Sequence, residues 1–285
     1  MNIRKNFITI YPKKSDLKRR SVSVDSRDLR HESLLRRIIS YYLAGIDSIR
    51  IRIYNEEQRS AISRASEILM GAEIVEDIGR EIVIEIFLDN SRLKTEEIMR
   101  RMGNTCVGMV SDFCMALRNF DGYLCNSIIA REREVDRLHF LLLRQLKLAN
   151  MYADVASELE IPVEIIQEYR TVVRSLERVA DHAANLAESL IELGKPIEDL
   201  CDFVDADLDM LRTAVVAFLE NEIELAEVVL EEFDEFEELE KKFYSSVLTT
   251  DVEEAINLKS IISSLSRIAS YSADIAEVVV NMAVV

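Results

Sequence analysis

The chain has 285 residues, of which 35 are Lys or Arg and 52 are Asp or Glu, giving a formal net charge of −17. Its length corresponds to about two domains, and 7 Gly with 3 Pro are too few turn residues for a sandwich, barrel or propeller. The acidic balance disfavours nucleic-acid binding, and no apolar run approaches the roughly 18 residues of a membrane span. Four Cys without a CxxC pair and the absence of an apolar leader are typical of a cytosolic protein. Together, these features predict a soluble, cytoplasmic, mostly helical protein.

The first 90 residues alternate apolar runs with amphipathic segments. In chain order they predict a strand at 7–12, a loop at 13–28, a helix at 29–43, a strand at 49–53, a helix at 56–70 and a hairpin at 73–77 and 81–88. Pro12 stops the first strand, Gly45 ends the first helix and Asn55 caps the second. The order β-α-β-α-β-β indicates a small α/β domain over residues 1–90, with helices on one sheet face.

From Ser91 onward, apolar residues recur at helical spacing almost without interruption. Breaks in the pattern predict six helices: 91–120, 123–152, 162–193, 197–220, 222–247 and 251–283. Helices this long with short connections are expected to run antiparallel in a bundle.

The two halves of this helical segment resemble each other. Residues 176–188 (LERVADHAANLAE) and 265–277 (LSRIASYSADIAE) share Leu, Arg, three Ala and Glu at equivalent positions. Residues 134–138 and 235–239 match more loosely. The repeat predicts two tandem three-helix units, residues 91–195 and residues 196–285.

The charge is divided unevenly along the chain. Residues 1–50 contain 12 Lys or Arg and 5 Asp or Glu, whereas residues 196–285 contain 5 and 22. The asymmetry is typical of a solvated acidic face beside a short basic arm. Alternatively, the two ends bind different partners, or the basic end of one chain meets the acidic end of another across a dimer. The basic arm comprises Lys13, Lys14, Lys18, Arg19 and Arg20.

Two pairs of acids stand four residues apart in the first three-helix unit. They are Glu132 with Asp136, and Glu177 with Asp181. Such a pair projects from one helix face, with Cβ atoms about 5–6 Å apart, and two facing pairs would offer the oxygen ligands that hold iron, manganese or zinc in helical bundles. Alternatively, the neighbouring Arg133, Arg137 and Arg178 make these acids part of ion-pair networks on a solvated face.

Residues 176–188 resemble the signature helix of the PhoU family, the phosphate-uptake regulators, and residues 134–138 resemble the matching motif on the partner helix. Two three-helix repeats are the fold of that family. Residues 34–53, with Tyr41-Tyr-Leu-Ala-Gly45 before a strand, resemble the linker domain of archaeal-type members. In those proteins an AbrB-like DNA-binding domain comes first. The resemblance covers residues 30–285, most specifically 128–190.

The resemblance implies a mainly α fold, with two tandem three-helix bundles after a small α/β domain. It also places the family's E/D-x-x-x-D metal motif on Glu132, Asp136, Glu177 and Asp181, and implies iron or zinc as the metal. In the second repeat this motif is lost, because Ser266, Ser270 and Phe233 stand at the equivalent positions and only Glu237 is kept. We therefore expect one metal site per chain or none.

Only seven residues precede Ile8, which is too few for an AbrB-like head. We therefore expect most or all of that head to be missing, and we expect this chain alone not to bind DNA.

The implied function is non-catalytic. A homodimer would damp phosphate uptake or phosphate signalling by contacting a transporter ATPase or a sensor protein. Three alternatives stay open: a dimeric transcription regulator of the AbrB–PhoU type, a carboxylate-bridged metal-binding protein or enzyme, and a helical scaffold with solubilising acids. Asp136 and His139 form a lone Asp-x-x-His pair, which counts against a ferritin-like oxidase. With no phosphate-binding glycine loop and no nucleophile–base arrangement, we expect no enzymatic activity.

Overall fold

The computed structural model describes residues 2–4, 7–9, 19–89, 93–247 and 252–283. The strands are β1 (Asn2–Arg4), β2 (Phe7–Thr9), β3 (Ser21–Asp25), β4 (Ser48–Arg52), β5 (Ala72–Ile78) and β6 (Glu81–Ile86). The helices are α1 (His31–Leu43), α2 (Glu56–Ile68), α3 (Thr95–Asn119), α4 (Gly122–Met151), α5 (Ala153–Glu158), α6 (Ile166–Leu193), α7 (Cys201–Glu220), α8 (Ile223–Val247) and α9 (Val252–Met282). The protein is mainly α with a small α/β region, as the sequence predicts.

Strands β3 to β6 form a four-stranded sheet in the order β3-β4-β6-β5. β3 and β4 are parallel and joined through α1, whereas β6 pairs antiparallel with both β4 and β5. Alternate residues of the strands share one buried cluster with the apolar faces of α1 and α2, so the helices cover one sheet face. β1 and β2 pair with each other as a separate antiparallel hairpin.

The local signals in this region act as predicted. The Asn55 side chain accepts a hydrogen bond from the Gln58 backbone N–H at 2.9 Å and so caps α2. Gly45 has a φ of +79° directly after the end of α1, a conformation that favours glycine.

The prediction of a loop over residues 13–28 is wrong at Ser21–Asp25, which form β3. This segment reads SVSVD, a period-two pattern that pairs in parallel with β4 and so occupies the first sheet position expected for residues 7–12. Of residues 7–12, the first three form β2 and the rest lie outside the described residues, as do Lys13, Lys14 and Lys18.

The six predicted helices correspond to α3, α4, α6, α7, α8 and α9. The short α5 was not predicted, because its single turn and a half is too brief to show helical periodicity. No described helix is both long enough and apolar enough to span a bilayer.

The chain divides into two compact units. The first combines residues 1–98 with 137–166, and the second combines 99–136 with 167–285. α4 contributes its first half to the second unit and its second half to the first. The sequence-based boundaries of 1–90, 91–195 and 196–285 stay a prediction.

Within the second unit, side-chain contacts join α3, α6 and α9. The Cys106 thiol of α3 donates to the Leu176 carbonyl of α6 at 3.2 Å. The Ser189 hydroxyl of α6 donates to the Ser260 hydroxyl of α9 at 2.9 Å. α7, α8 and α9 pack on one another, and Phe203 of α7 stacks on Phe236 of α8 with ring centroids 4.4 Å apart. α6 therefore lies between the helices of the two repeats.

Candidate metal centre

Three of the four predicted metal-ligating residues meet where α4 faces α6. Glu132 and Asp136 project from α4 and Asp181 projects from α6, and one carboxylate oxygen of each lies within 4.8 Å of the others. All three side chains are half-buried. We call these three residues the carboxylate cluster.

The residues of α6 explain why its acids reach α4. Its buried stripe comprises Leu176, Val179, Ala180, Ala183, Leu186, Ala187 and Leu190. The alanines are fully or almost fully buried and have small side chains, so they allow the neighbouring helices to approach closely. Glu177 and Asp181 border this stripe one turn apart, which keeps them half-buried at the edge of the core.

Two ion pairs join α3 to the part of α4 that carries Glu132. Arg131 binds Asp112 between two partly buried side chains, and Arg101 binds Glu134 in a more exposed pair. Arg131 and Glu134 flank Glu132 in the α4 sequence. The sequence reasoning did not find these ion pairs, although opposite charges on adjacent predicted helices are a usable signal once the helix register is known.

Glu177 is the fourth predicted ligand, and it is not a member of the cluster among the described residues. Burial raises its pKa, as do the negative charges of Asp181 and, more weakly, Glu132. Glu177 is therefore electrostatically coupled to the cluster from one helical turn away.

Arg178 supplies positive charge beside these acids. Its guanidinium lies 3.1 Å from Asp181 and 3.5 Å from Glu177. Burial nevertheless raises the pKa of Asp181, with Arg178 as the main opposing influence. One partly exposed guanidinium thus leaves the burial penalty of this carboxylate uncompensated, and a bound cation would relieve it.

The donor set fits a hard or borderline cation. Three carboxylates offer oxygen ligands of the kind that iron, manganese and zinc accept, and half-burial leaves room for water at the remaining coordination positions. Glu132, Asp136 and Asp181 are the residues that would hold the ion, and Glu177 lies close enough to adjust its electrostatic field.

His182 follows Asp181 in sequence but contacts α9. Its Nδ1 lies 3.4 Å from the Ser264 hydroxyl, and its ring stacks on Tyr271 with centroids 6.0 Å apart. Burial lowers the pKa of His182. The imidazole therefore supports the packing of α6 on α9 and is not one of the clustered ligands.

The second repeat places serine hydroxyls where the first repeat has acids. Ser266 donates to Glu240 at 2.6 Å, and Ser270 donates to the Ser266 carbonyl at 2.8 Å. The Glu237 side chain lies outside the described residues. Within the described part of this repeat, no second group of three metal-ligating side chains forms.

The comparisons with known proteins concern the helical repeats that contain the cluster. The PhoU domain family matches residues 99–190 and 201–279, which are the two helical repeats. A protein of Aquifex aeolicus (strain VF5) named "Phosphate-specific transport system accessory protein PhoU homolog" is 24% identical over 172 residues, which cover 58% of this chain and 76% of that protein.

Two solved structures share the fold. PhoU from Pseudomonas aeruginosa has a TM-score of 0.57 at 19% identity, covering 66% of this chain and 95% of its own. The phosphate transport system regulatory protein PhoU from Streptococcus pneumoniae has the same TM-score and identity, covering 66% of this chain and 93% of its own. With the family matching both repeats over more than half of its length, this chain belongs to the PhoU domain family.

Proposed function

We propose that the protein is a non-catalytic regulator of phosphate transport. Its relatives include a phosphate-specific transport accessory protein and a phosphate transport regulatory protein. Membership of the PhoU domain family over both repeats is the observation that carries the proposal. In this proposal the protein acts in the cytoplasm as a homodimer, through contact with a transporter ATPase or a sensor protein.

Deleting the gene in its host tests the regulatory role. We expect the initial rate of phosphate uptake in phosphate-rich medium to rise in the deletion strain and to return to normal when the intact gene is restored. Uptake of radiolabelled phosphate measures this directly, and uptake of an unrelated nutrient serves as the control. Unchanged phosphate uptake and unchanged phosphate-dependent gene expression in the deletion strain would argue against the role.

We further propose that the carboxylate cluster binds one iron or zinc ion per chain. The support is geometric, since three half-buried carboxylates from two helices place oxygen atoms within 4.8 Å of one another. The raised pKa of Asp181, caused by burial, supports the same conclusion because it marks a carboxylate that a cation would stabilise. When bound, the metal would fix α4 against α6 and so hold the surface that contacts a partner.

Neutral, nearly isosteric variants test the metal site. We expect Asp136→Asn and Asp181→Asn each to weaken iron or zinc binding by at least about tenfold, because each removes a charged ligand. Glu177→Gln is expected to have a smaller effect, since Glu177 lies outside the cluster. Elemental analysis of protein purified without chelator, followed by titration with each metal, gives the comparison.

A matched control is available on α8. Glu227 and Glu231 also stand four residues apart, but both are exposed, so Glu227→Gln/Glu231→Gln should leave the metal content unchanged. Parent and cluster variants with the same metal content at background level would eliminate the metal site.

A further inference from the structure

Asp207 is the most unusual acid in the second repeat. It lies in the middle of α7 with a relative exposure of 0%, and neither carboxylate oxygen has a hydrogen-bond partner among the described residues. An ionised carboxylate in such a place is strongly disfavoured, because it loses its hydration and gains no compensating bond. The packed helix therefore requires the neutral acid.

Asp207 lies on the buried face of α7, among apolar residues of the same helix. Phe203, one turn earlier, stacks on Phe236 of α8. On the α3 side, the Cys114 thiol lies 3.8 Å from the Val204 carbonyl of α7. Asp207 thus lies within the contacts that hold α7 in its bundle.

On α3, the titratable group whose pKa Asp207 affects is the Cys114 thiol, which is neutral. Burial raises the pKa of Cys114 to about 12, with Asp205 and Asp207 adding to the shift. Arg118 of α3, whose charge acts on Cys114, binds the surface residue Asp205. Arg118 therefore pairs with Asp205 and does not act as a counter-ion to Asp207.

α8 and α9 carry their own shifted acids. The pKa of Glu232 on α8 is raised by burial, Asp209 and Glu235, and that of Asp274 on α9 is raised by burial and Glu277. Neither acid contributes to the shift at Asp207, whose pKa burial alone raises well above the ordinary value of 3.8. Asp207 is thus a separate titrating group.

We propose that Asp207 is a proton-dependent switch in the second repeat: the neutral acid keeps α7 packed, and loss of the proton favours displacement of α7. The packed state binds one more proton than the open state over the range between the two carboxyl pKa values. Packing is therefore most stable at low pH and weakens as the pH rises from about 4 towards the raised pKa. In this range the ratio of open to packed α7 increases about tenfold for each pH unit.

Native-state hydrogen exchange of the full chain between about pH 5 and 7 tests the switch. When reclosing is fast, the exchange rate is the product of the opening equilibrium and the intrinsic rate, and the intrinsic rate grows in proportion to hydroxide. Core amides of α7 should therefore show a slope of log rate against pH of about two in the parent protein. Asp207→Asn should lower this slope to about one. The α2 amides give the internal reference slope.

Two further variants locate the effect. Asp209→Asn changes an exposed acid on the same helix and should keep the slope of the parent. Asp207→Leu removes the ionisable group with an apolar side chain of similar size and should give the same low slope as Asp207→Asn. A parent slope of about one, or a slope that falls in Asp274→Asn but persists in the Asp207 variants, overturns the proposal. If Asp207→Asn does not fold, Asp207→Leu gives the comparison with the parent.

Discussion

Replacing Arg144 with Met is expected to lower the free energy of unfolding by about 3–5 kcal/mol. The Arg144 side chain is 3% exposed and pairs with Asp47, 14% exposed, at 3.1 Å. It also donates to the carbonyls of Tyr42 and Ile46, and it lies over the Tyr42 ring at 4.9 Å. Burial lowers the pKa of Arg144, the direction expected for a cation removed from water. The Met variant leaves a partly buried carboxylate and two carbonyls without this donor, which is why the free energy of unfolding falls by a large amount.

Denaturant unfolding followed by circular dichroism measures this effect. Arg64→Met is the matched control, because Arg64 lies in the same unit and forms an exposed pair with Glu67 at 3.4 Å, worth less than about 1 kcal/mol. The double variant Arg144→Met/Asp47→Asn should recover about 1–3 kcal/mol relative to the sum of the single variants. A loss below about 1 kcal/mol for Arg144→Met would show that the buried pair is not a principal support of this unit.

Replacing Gly71 with Ala is expected to lower the free energy of unfolding by about 2–4 kcal/mol. Gly71 joins α2 to β5 with a φ of +75°, and an added Cβ would lie 2.5 Å from the Phe87 carbonyl oxygen and 2.8 Å from Leu88 Cδ2. The Phe87 backbone N–H donates to the Gly71 carbonyl at 2.7 Å, so the clash falls on backbone that is already hydrogen-bonded. Backbone strain and overpacking therefore act together.

Gly79→Ala separates these two contributions. Gly79 has a similar φ of +62°, but an added Cβ would meet nothing within 4 Å. Gly79→Ala should therefore lower the free energy of unfolding only by the cost of placing a Cβ in the left-handed backbone conformation, about 1–2 kcal/mol. Thermal and denaturant unfolding of both variants give the difference. Equal losses at Gly71 and Gly79 would mean that the close approach of Phe87 to Gly71 is not a steric constraint.

Much of the fold follows from local signals in the sequence. The helical periodicity after Ser91 locates the six long helices, and Asn55 and Gly45 mark helix ends that the structure shows. β3 was missed because two valines between serines are a weak signal beside a charged segment. The strand exists because parallel pairing with β4 satisfies its backbone groups, a non-local effect that propensity does not contain.

The carboxylate cluster was predictable only in part. The i, i+4 spacing places Glu132 with Asp136 and Glu177 with Asp181 on common helix faces. The relative register of α4 and α6 decides which acid of the second pair meets the first, and that acid is Asp181. Spacing along one helix does not determine this register, because it depends on packing between helices.

The buried acid of α7 was not predictable at all. Asp205, Asp207 and Asp209 alternate in a segment that reads DADLD, and by composition all three belong to an acidic surface. In the structure Asp209 is exposed, Asp205 pairs with Arg118, and Asp207 is fully buried. The three-dimensional direction of each side chain, and not its residue type, separates the surface acids from the core acid.

We propose that regulation requires the carboxylate cluster of the first repeat, because a metal bound there would hold the surface that contacts a partner. The most direct test of this claim is phosphate uptake in a host that lacks the gene and is complemented with Glu132→Gln/Asp136→Asn/Asp181→Asn at wild-type protein abundance. We expect this variant to leave uptake as high as in the deletion strain, whereas Glu227→Gln/Glu231→Gln restores normal uptake. Full restoration by the cluster variant would contradict the claim.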